Sequence, residues 1–297
     1  MKFFRQLKVF TAALILSMLT ILFLPGMGTP VLANETGTLL EVTAVPLASA
    51  AVLSLGGYLL WKNRLSYSSD KPGSLGYRGP GEFYFGGFLG ASFVPDMDWN
   101  NKKQTSIPFP VTGHNIATDP GLAGGIKVGY FLDSCPYLGF EGEGSIANHN
   151  QPRQTITISP PVNGTNVAVT HQQGMLIWTM AFHIVGRYGF LKDQEVPFGR
   201  LQPYVGIGPN VGVLYFESDS CKNFSLDLEA GIRYMFTKHF GAFIEYKYFH
   251  QWDVQLGQQY IFINGKQFNL GNAGWEGKQT HFDFDNHKVV IGLEYHF

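Results

Sequence analysis

From Glu82 to Phe297 the sequence alternates apolar and polar residues with period two, segment after segment, and this constrains the fold more than any other feature. Successive side chains of an extended strand point to opposite faces, so such a segment has one apolar and one polar face. The first sets Phe83, Phe85, Leu89, Ala91 and Phe93 against Glu82, Tyr84, Gly86, Gly90 and Ser92. In the second, Ile126, Val128, Tyr130 and Leu132 oppose Lys127 and Gly129, and in the third Leu138, Phe140 and Ile146 oppose Glu141, Glu143 and Ser145. The fourth pairs Leu176, Trp178, Met180, Phe182 and Ile184 with Thr179, Ala181, His183 and Arg187, and the fifth pairs Val205, Ile207, Val211 and Val213 with Gly206, Gly208, Asn210 and Gly212. In the sixth, Leu226, Leu228, Ile232 and Tyr234 oppose Asp227, Glu229, Gly231 and Arg233. The seventh sets Ala242, Ile244, Tyr246 and Tyr248 against Glu245 and Lys247, and the eighth sets Val289, Ile291, Leu293, Tyr295 and Phe297 against Lys288, Gly292, Glu294 and His296.

Alternation alone fits either a soluble sandwich or a membrane barrel, because both give each strand one apolar face. Three further features select the barrel. The polar faces are rich in Gly, of which the chain has 36 in 297 residues, and small residues suit the crowded interior of a narrow barrel. Aromatics such as Tyr188, Phe190, Tyr234, Phe236, Tyr248 and Tyr295 fall near the ends of apolar faces, where interfacial girdles belong. The strand count is even, and a secretion signal precedes it. The prediction is an all-β, eight-stranded antiparallel up-and-down transmembrane β-barrel over residues 82–297. Charged residues make up only 14% of the chain, against roughly a quarter in an average soluble protein, which speaks against a cytosolic enzyme. A net charge of -1 offers no basic field for nucleic acid.

Residues 1–33 carry Lys2, Arg5 and Lys8, an apolar run from Val9 to Leu24, and the small-residue end Val31-Leu32-Ala33, the layout of a signal peptide. Residues 34–81 follow as an apolar segment, Val42 to Trp61, long enough for a helix, and a Ser/Gly/Pro-rich linker.

The gaps between strands are long near residues 95–120, 150–174 and 253–280 and short at Asp133–Pro136 and Thr237–His239. Outer-membrane barrels combine short periplasmic turns with longer external loops, so the three long segments are expected outside the cell. Any extracellular ligand is expected to engage them, with Trp99, Arg153, Trp252 and Trp275 as contact side chains.

The inward faces collect Glu82, Glu141, Glu143, Asp227, Glu229, Glu245 and Glu294 with Lys127, Arg187, Arg233, Lys247 and Lys288. An unpaired buried charge is costly, so these twelve residues are expected to form an ion network that closes the lumen. Glu229 with Arg233, and Glu245 with Lys247, are natural pairs. His281, Asp283, Asp285 and His287 share one side of the last strand, but the outer two lie about 20 Å apart, too far for one metal ion, and they suit the water-exposed top of that strand. Cys135 falls in a short inner turn and Cys221 in a short outer loop, too far apart for a disulfide. No catalytic, cofactor or metal set is expected.

The opening Phe83-Tyr-Phe-Gly-Gly-Phe-Leu-Gly-Ala-Ser-Phe93, the segment Phe240-Gly-Ala-Phe-Ile-Glu-Tyr-Lys-Tyr248 and the ending Lys288-Val-Val-Ile-Gly-Leu-Glu-Tyr-His-Phe297 resemble the small eight-stranded outer-membrane barrels of the OmpA transmembrane-domain and opacity-protein type. The resemblance covers residues 81–297. It implies an integral outer-membrane protein in contact with outer-membrane lipid, whose Ile291, Leu293, Tyr295 and Phe297 form the signal read by the barrel-assembly machinery. It implies a structural or surface-interaction role, in adhesion or envelope integrity, carried by the external loops. A narrow porin-like channel is the alternative, and a lipid-modifying enzyme a more distant one. Against the enzyme, the charged lumen leaves no apolar slot for an acyl chain, and none of the nine His is followed two residues later by the Ser that outer-membrane deacylases use. His250, on the outward parity of the seventh strand, is expected to be an interfacial histidine. The chain departs from the resemblance in residues 34–81 and in lacking a peptidoglycan-binding domain after Phe297, so cell-wall anchoring is not implied.

Overall fold

A computed structural model describes residues 82–101, 109–132, 135–217, 219–257, 260–269 and 280–297. The signal peptide and the segment 34–81 lie outside the described residues. Every described element is a strand: β1 (Glu82–Phe93), β2 (Met97–Asn101), β3 (Val111–Ile116), β4 (Asp119–Phe131), β5 (Leu138–Gln151), β6 (Thr155–Val162), β7 (Thr165–Thr170), β8 (Gln173–Arg187), β9 (Leu201–Phe216), β10 (Ser220–Met235), β11 (Phe240–Leu256), β12 (Tyr260–Ile263), β13 (Lys266–Asn269) and β14 (Thr280–His296).

Eight of these close into a barrel in the order β1-β4-β5-β8-β9-β10-β11-β14, with β14 pairing back onto β1. Every pair is antiparallel, so the alternation of the sequence becomes an inside and an outside. Large apolar side chains are exposed outward, among them Leu89, Ile184, Val205, Ile207, Ile232, Ile244, Ile291 and Leu293. Aromatics ring the lower end, where Tyr188 meets Phe190 at 4.9 Å, Tyr234 meets Phe236 at 5.6 Å and Tyr295 meets Phe297 at 5.0 Å.

The barrel strands run from 12 to 17 residues. At a rise of about 3.4 Å per residue the longest reach well beyond a lipid band about 25 Å tall. Their upper ends continue into a second structure that corrects the loop expectation. The segments 95–120, 150–174 and 253–280 are built around the hairpins β2–β3, β6–β7 and β12–β13. These hairpins join edge to edge: β14 pairs with β2, β3 with β6, and β7 with β12. Alternation in the short strands supplies the reason. In β6, Ile156, Ile158 and Val162 point inward while Thr155, Thr157 and Ser159 face solvent. Ile156, Ile158, Val162, Ile261 and Ile263 share one apolar cluster with Ile177, Leu214, Phe249 and Phe284, which line the upper mouth of the barrel. The hairpins and the barrel rim therefore form one cap with its own core.

At the lower end the connections are tight. Leu138 N–H donates to Cys135 O at 2.9 Å, and Phe236 N–H to Phe240 O at 2.9 Å. The longer turn before β9 is held by Asp193, which accepts from Val196 N–H at 2.7 Å and pairs with Arg200. That backbone donor and the guanidinium hold the Asp193 carboxyl below its ordinary pKa. Cys221 lies on the buried face of β10 within the cap rather than in a loop, Cys135 sits at the opposite end, and the two are not joined in a disulfide.

Candidate functional site

The lumen is the densest chemical feature of the described residues, and the register of the eight strands builds it in layers. At the lowest level Arg187 on β8 reaches Glu82 on β1, Nη2 to Oε2 at 2.6 Å. Its guanidinium lies over the ring of Phe131 at 3.5 Å and near that of Phe198 at 4.2 Å. His296 bridges two acids, with Nδ1 against Glu82 and Nε2 3.1 Å from Glu294. Glu294 also holds Arg233, whose guanidinium is sandwiched near Tyr84 at 4.8 Å and Tyr204 at 5.1 Å.

The middle layers centre on two lysines. Lys127 on β4 donates to Glu245 at 2.6 Å, lies 3.3 Å from Glu141, and rests over the Phe243 ring at 4.3 Å. Tyr84 OH donates to Glu141 at 2.6 Å and Tyr204 OH to Glu245 at 2.5 Å. Lys247 on β11 contacts three carboxylates at once, Glu143 at 2.7 Å, Glu229 at 2.8 Å and Glu245 at 2.9 Å. Asp227 accepts from Asn210 at 2.9 Å and meets His183 Nε2 at 3.0 Å. Above them Lys288 donates to Ser145 Oγ at 2.9 Å, and Ser92 links His149 and Asn286. Among the described residues no carboxylate pairs directly with Lys288.

All twelve charged residues expected inside therefore face the lumen, eleven of them buried and Glu82 at its lower rim. Glu245 and Lys247 meet as expected. Glu229 and Arg233 do not, since Glu229 turns to Lys247 and Arg233 to Glu294. Other polar participants lay outside the expected network although their parity placed them inside, among them His183, His296, Tyr84, Tyr204 and Asn210. Inward aromatics supply the rest of the packing, and they explain inward glycines. A Cβ on Gly129 would sit 2.2 Å from the Tyr84 ring, and one on Gly292 would sit 2.3 Å from that of Phe243. Each glycine is the space in which a neighbouring ring lies flat across the lumen.

Residues 77–297 match the family model described as an outer membrane protein beta-barrel domain. The chain belongs to this family. It is an integral outer-membrane barrel with its hairpin cap outside the cell. No curated protein sequence matches it. Among solved structures it is similar to the outer membrane protein OprG from Pseudomonas aeruginosa, with 17% identity over 73% of this chain and 96% of that one and a TM-score of 0.43. It is also similar to Neisserial surface protein A (NspA), at 9% identity, 72% and 96% coverage and a TM-score of 0.40. A third is Ail, the attachment invasion locus protein of Yersinia pestis, at 14% identity, 73% and 99% coverage and a TM-score of 0.31.

The outer surface of this barrel resolves the histidine-rich stretch of β14. His281, Asp283, Asp285 and His287 form an outward row, each contacting β11. His281 meets Asp253 at 2.7 Å, Asp283 accepts from Asp253 N–H at 3.0 Å, Asp285 binds both Tyr248 OH and His250, and His287 meets Tyr246 OH at 2.6 Å. His250 stands at the interface, edge-on to Trp252 at 4.7 Å. Of the four side chains expected to contact a ligand, Arg153 and Trp252 are exposed, Trp99 is buried in the cap core, and Trp275 lies outside the described residues. Trp99 packs across Gly113, where a Cβ would come within 2.6 Å of the indole.

Proposed function

We propose that this outer-membrane barrel does not conduct or catalyse, and that it acts through its external cap in surface interaction or envelope integrity. The observation that carries this reading is a doubly closed lumen. An ion network of buried side chains crosses the middle of the barrel, and an apolar layer that includes Ile177, Leu214, Phe249 and Phe284 covers it from above. The joined hairpins give the external end a broad, ordered sheet whose solvent-facing row, Thr155, Thr157 and Ser159 with Pro160 and Pro161, is uncharged and open to a partner. Outward Ile291, Leu293 and Tyr295, with Phe297 at the seam with β1, suit recognition by the barrel-assembly machinery before closure.

Conductance in planar bilayers tests the reading. The purified protein should give no steady current, and Arg233→Ala with Lys247→Ala should stay silent while the apolar layer stands. Adding Phe284→Ala should open a leak. Stable, ion-selective steps in the parent protein would overturn the occluded lumen and make a narrow porin the better reading.

A further inference from the structure

Two trios of ligating side chains lie side by side in the middle of the lumen, Glu143–Glu229–Glu245 and Glu141–His183–Glu229. In the first, the Lys247 ammonium contacts all three carboxylates. In the second, His183 is fully buried and its Nε2 is committed to Asp227 at 3.0 Å, which leaves Nδ1 aimed at Glu141 Oε1, 3.6 Å away, and Glu229 Oε2, 3.5 Å away. Neither Nδ1 nor Glu141 Oε1 nor Glu229 Oε1 has a hydrogen-bond partner among the described residues. Glu141 holds Lys127 with Oε2 at 3.3 Å and presents Oε1 to the histidine, whereas Glu229 presents Oε2, the oxygen that also holds Lys247 at 2.8 Å.

We infer that Glu141, His183 and Glu229 form a buried site for one divalent transition-metal cation, with Zn²⁺ the ion that fits its donor set. One imidazole and two carboxylates are the ligand types of zinc sites with about 2.1 Å bonds, and donors at such distances around a tetrahedral ion stand about 3.4 Å apart, close to the separations from Nδ1 to the two glutamates. Asp227 completes the pattern, since a carboxylate on the far nitrogen of a ligating histidine fixes its tautomer and ring orientation. Charge points the same way. Five acids, Glu141, Glu143, Asp227, Glu229 and Glu245, surround three lysines in these layers. A proton on His183 would remove one of the two excess negative charges; a divalent cation removes both. The site is enclosed on every side, so the ion enters as the barrel assembles and leaves slowly.

The test uses the full chain, purified in detergent from outer membranes and washed briefly with a chelator. Elemental analysis should find close to one zinc per chain, and X-ray absorption should show one imidazole nitrogen with oxygen ligands. His183→Gln should lower retained zinc at least ten-fold, Asp227→Asn should weaken retention by 10–100-fold, and His250→Gln on the outer surface should leave it unchanged. Folding of each variant is read from heat-dependent gel migration. Should the lumen variants fail to fold, the absorption spectrum of the parent still decides. Failure of the parent to retain zinc, or to take it up when folded in its presence, overturns the site and assigns His183 a proton instead. Zinc that is lost with His250→Gln but kept with His183→Gln overturns it as well.

Discussion

The same eight strands pass through two regions that obey opposite rules. In the membrane-spanning half, β14 points Lys288 and Glu294 inward and Val289, Ile291 and Leu293 outward; in the external half it points Phe282 and Phe284 inward and His281, Asp283 and Asp285 outward. The backbone ladder continues through the change, and only the medium outside it differs. Lipid requires an apolar exterior and leaves polar groups to satisfy one another inside, whereas water permits the ordinary apolar core. The alternation of a strand therefore reports which medium surrounds each part of it. The position where the sign reverses, near His287 and Tyr248, marks the outer membrane boundary.

Breaking this contrast should cost most in the lumen. Lys247→Met leaves Glu143 and Glu229 without their lysine and Glu245 held by Lys127 alone, and should destabilise the barrel by about 3–5 kcal/mol in urea unfolding from lipid vesicles. In the cap, Phe284→Ala removes a buried ring from an apolar core and should cost about 3 kcal/mol. Limited proteolysis of the variant should cut the hairpins while the barrel stays folded. On the lipid face, Ile291→Arg should cost about 2–4 kcal/mol, while a charge placed at Thr157 on the watery face of β6 should cost almost nothing.

The smallest effect sharpens the comparison from the cap side. Asp98 accepts from His114 and from Asn115 N–H, both at 2.9 Å, and these contacts hold its carboxyl below the ordinary value. A lowered folded pKa stabilises the hairpin at pH values above the unfolded carboxylate pKa, and the contribution is lost as pH falls through the folded one. Protection of the β2–β3 amides from hydrogen exchange, taken relative to the intrinsic exchange rate at each pH, should therefore fall as the solution is acidified below about pH 4. Asp98→Asn should remove that dependence and, because the pair is largely exposed, cost less than about 1 kcal/mol at neutral pH.

The barrel was legible in the sequence because period two survives in every spanning strand and assigns each charged residue to a face. Pairing was not, since partners such as Lys127 and Glu245 lie 118 residues apart and meet only across a closed lumen. The inward aromatics Phe88, Phe243 and Phe249 had the right parity, but aromatic residues in such a chain suggest the lipid interface rather than the space above a glycine. The cap left a fainter trace. Its strands are four to eight residues long, and the alternation Thr155-Ile156-Thr157-Ile158 was present but too brief to separate an ordered hairpin from an apolar loop. A tryptophan in a long connection suggests contact with a partner, whereas the structure uses Trp99 as core.

The seam between β1 and β14 has a consequence in time. Tyr84 lies opposite His296, and Phe297 N–H donates to Phe83 O at 2.9 Å, so the clasp joins the two ends of the barrel sequence. Lys288 and Glu294 ride on one strand of this seam, which has to close whichever strand is placed first. Until it does, Arg233 and Lys127 stand in an open trough that water can reach, and the dry interior comes into being only at the final zip. A chain halted one strand short would be a wetted ribbon with two raw edges, already competent to pair with the wrong neighbour.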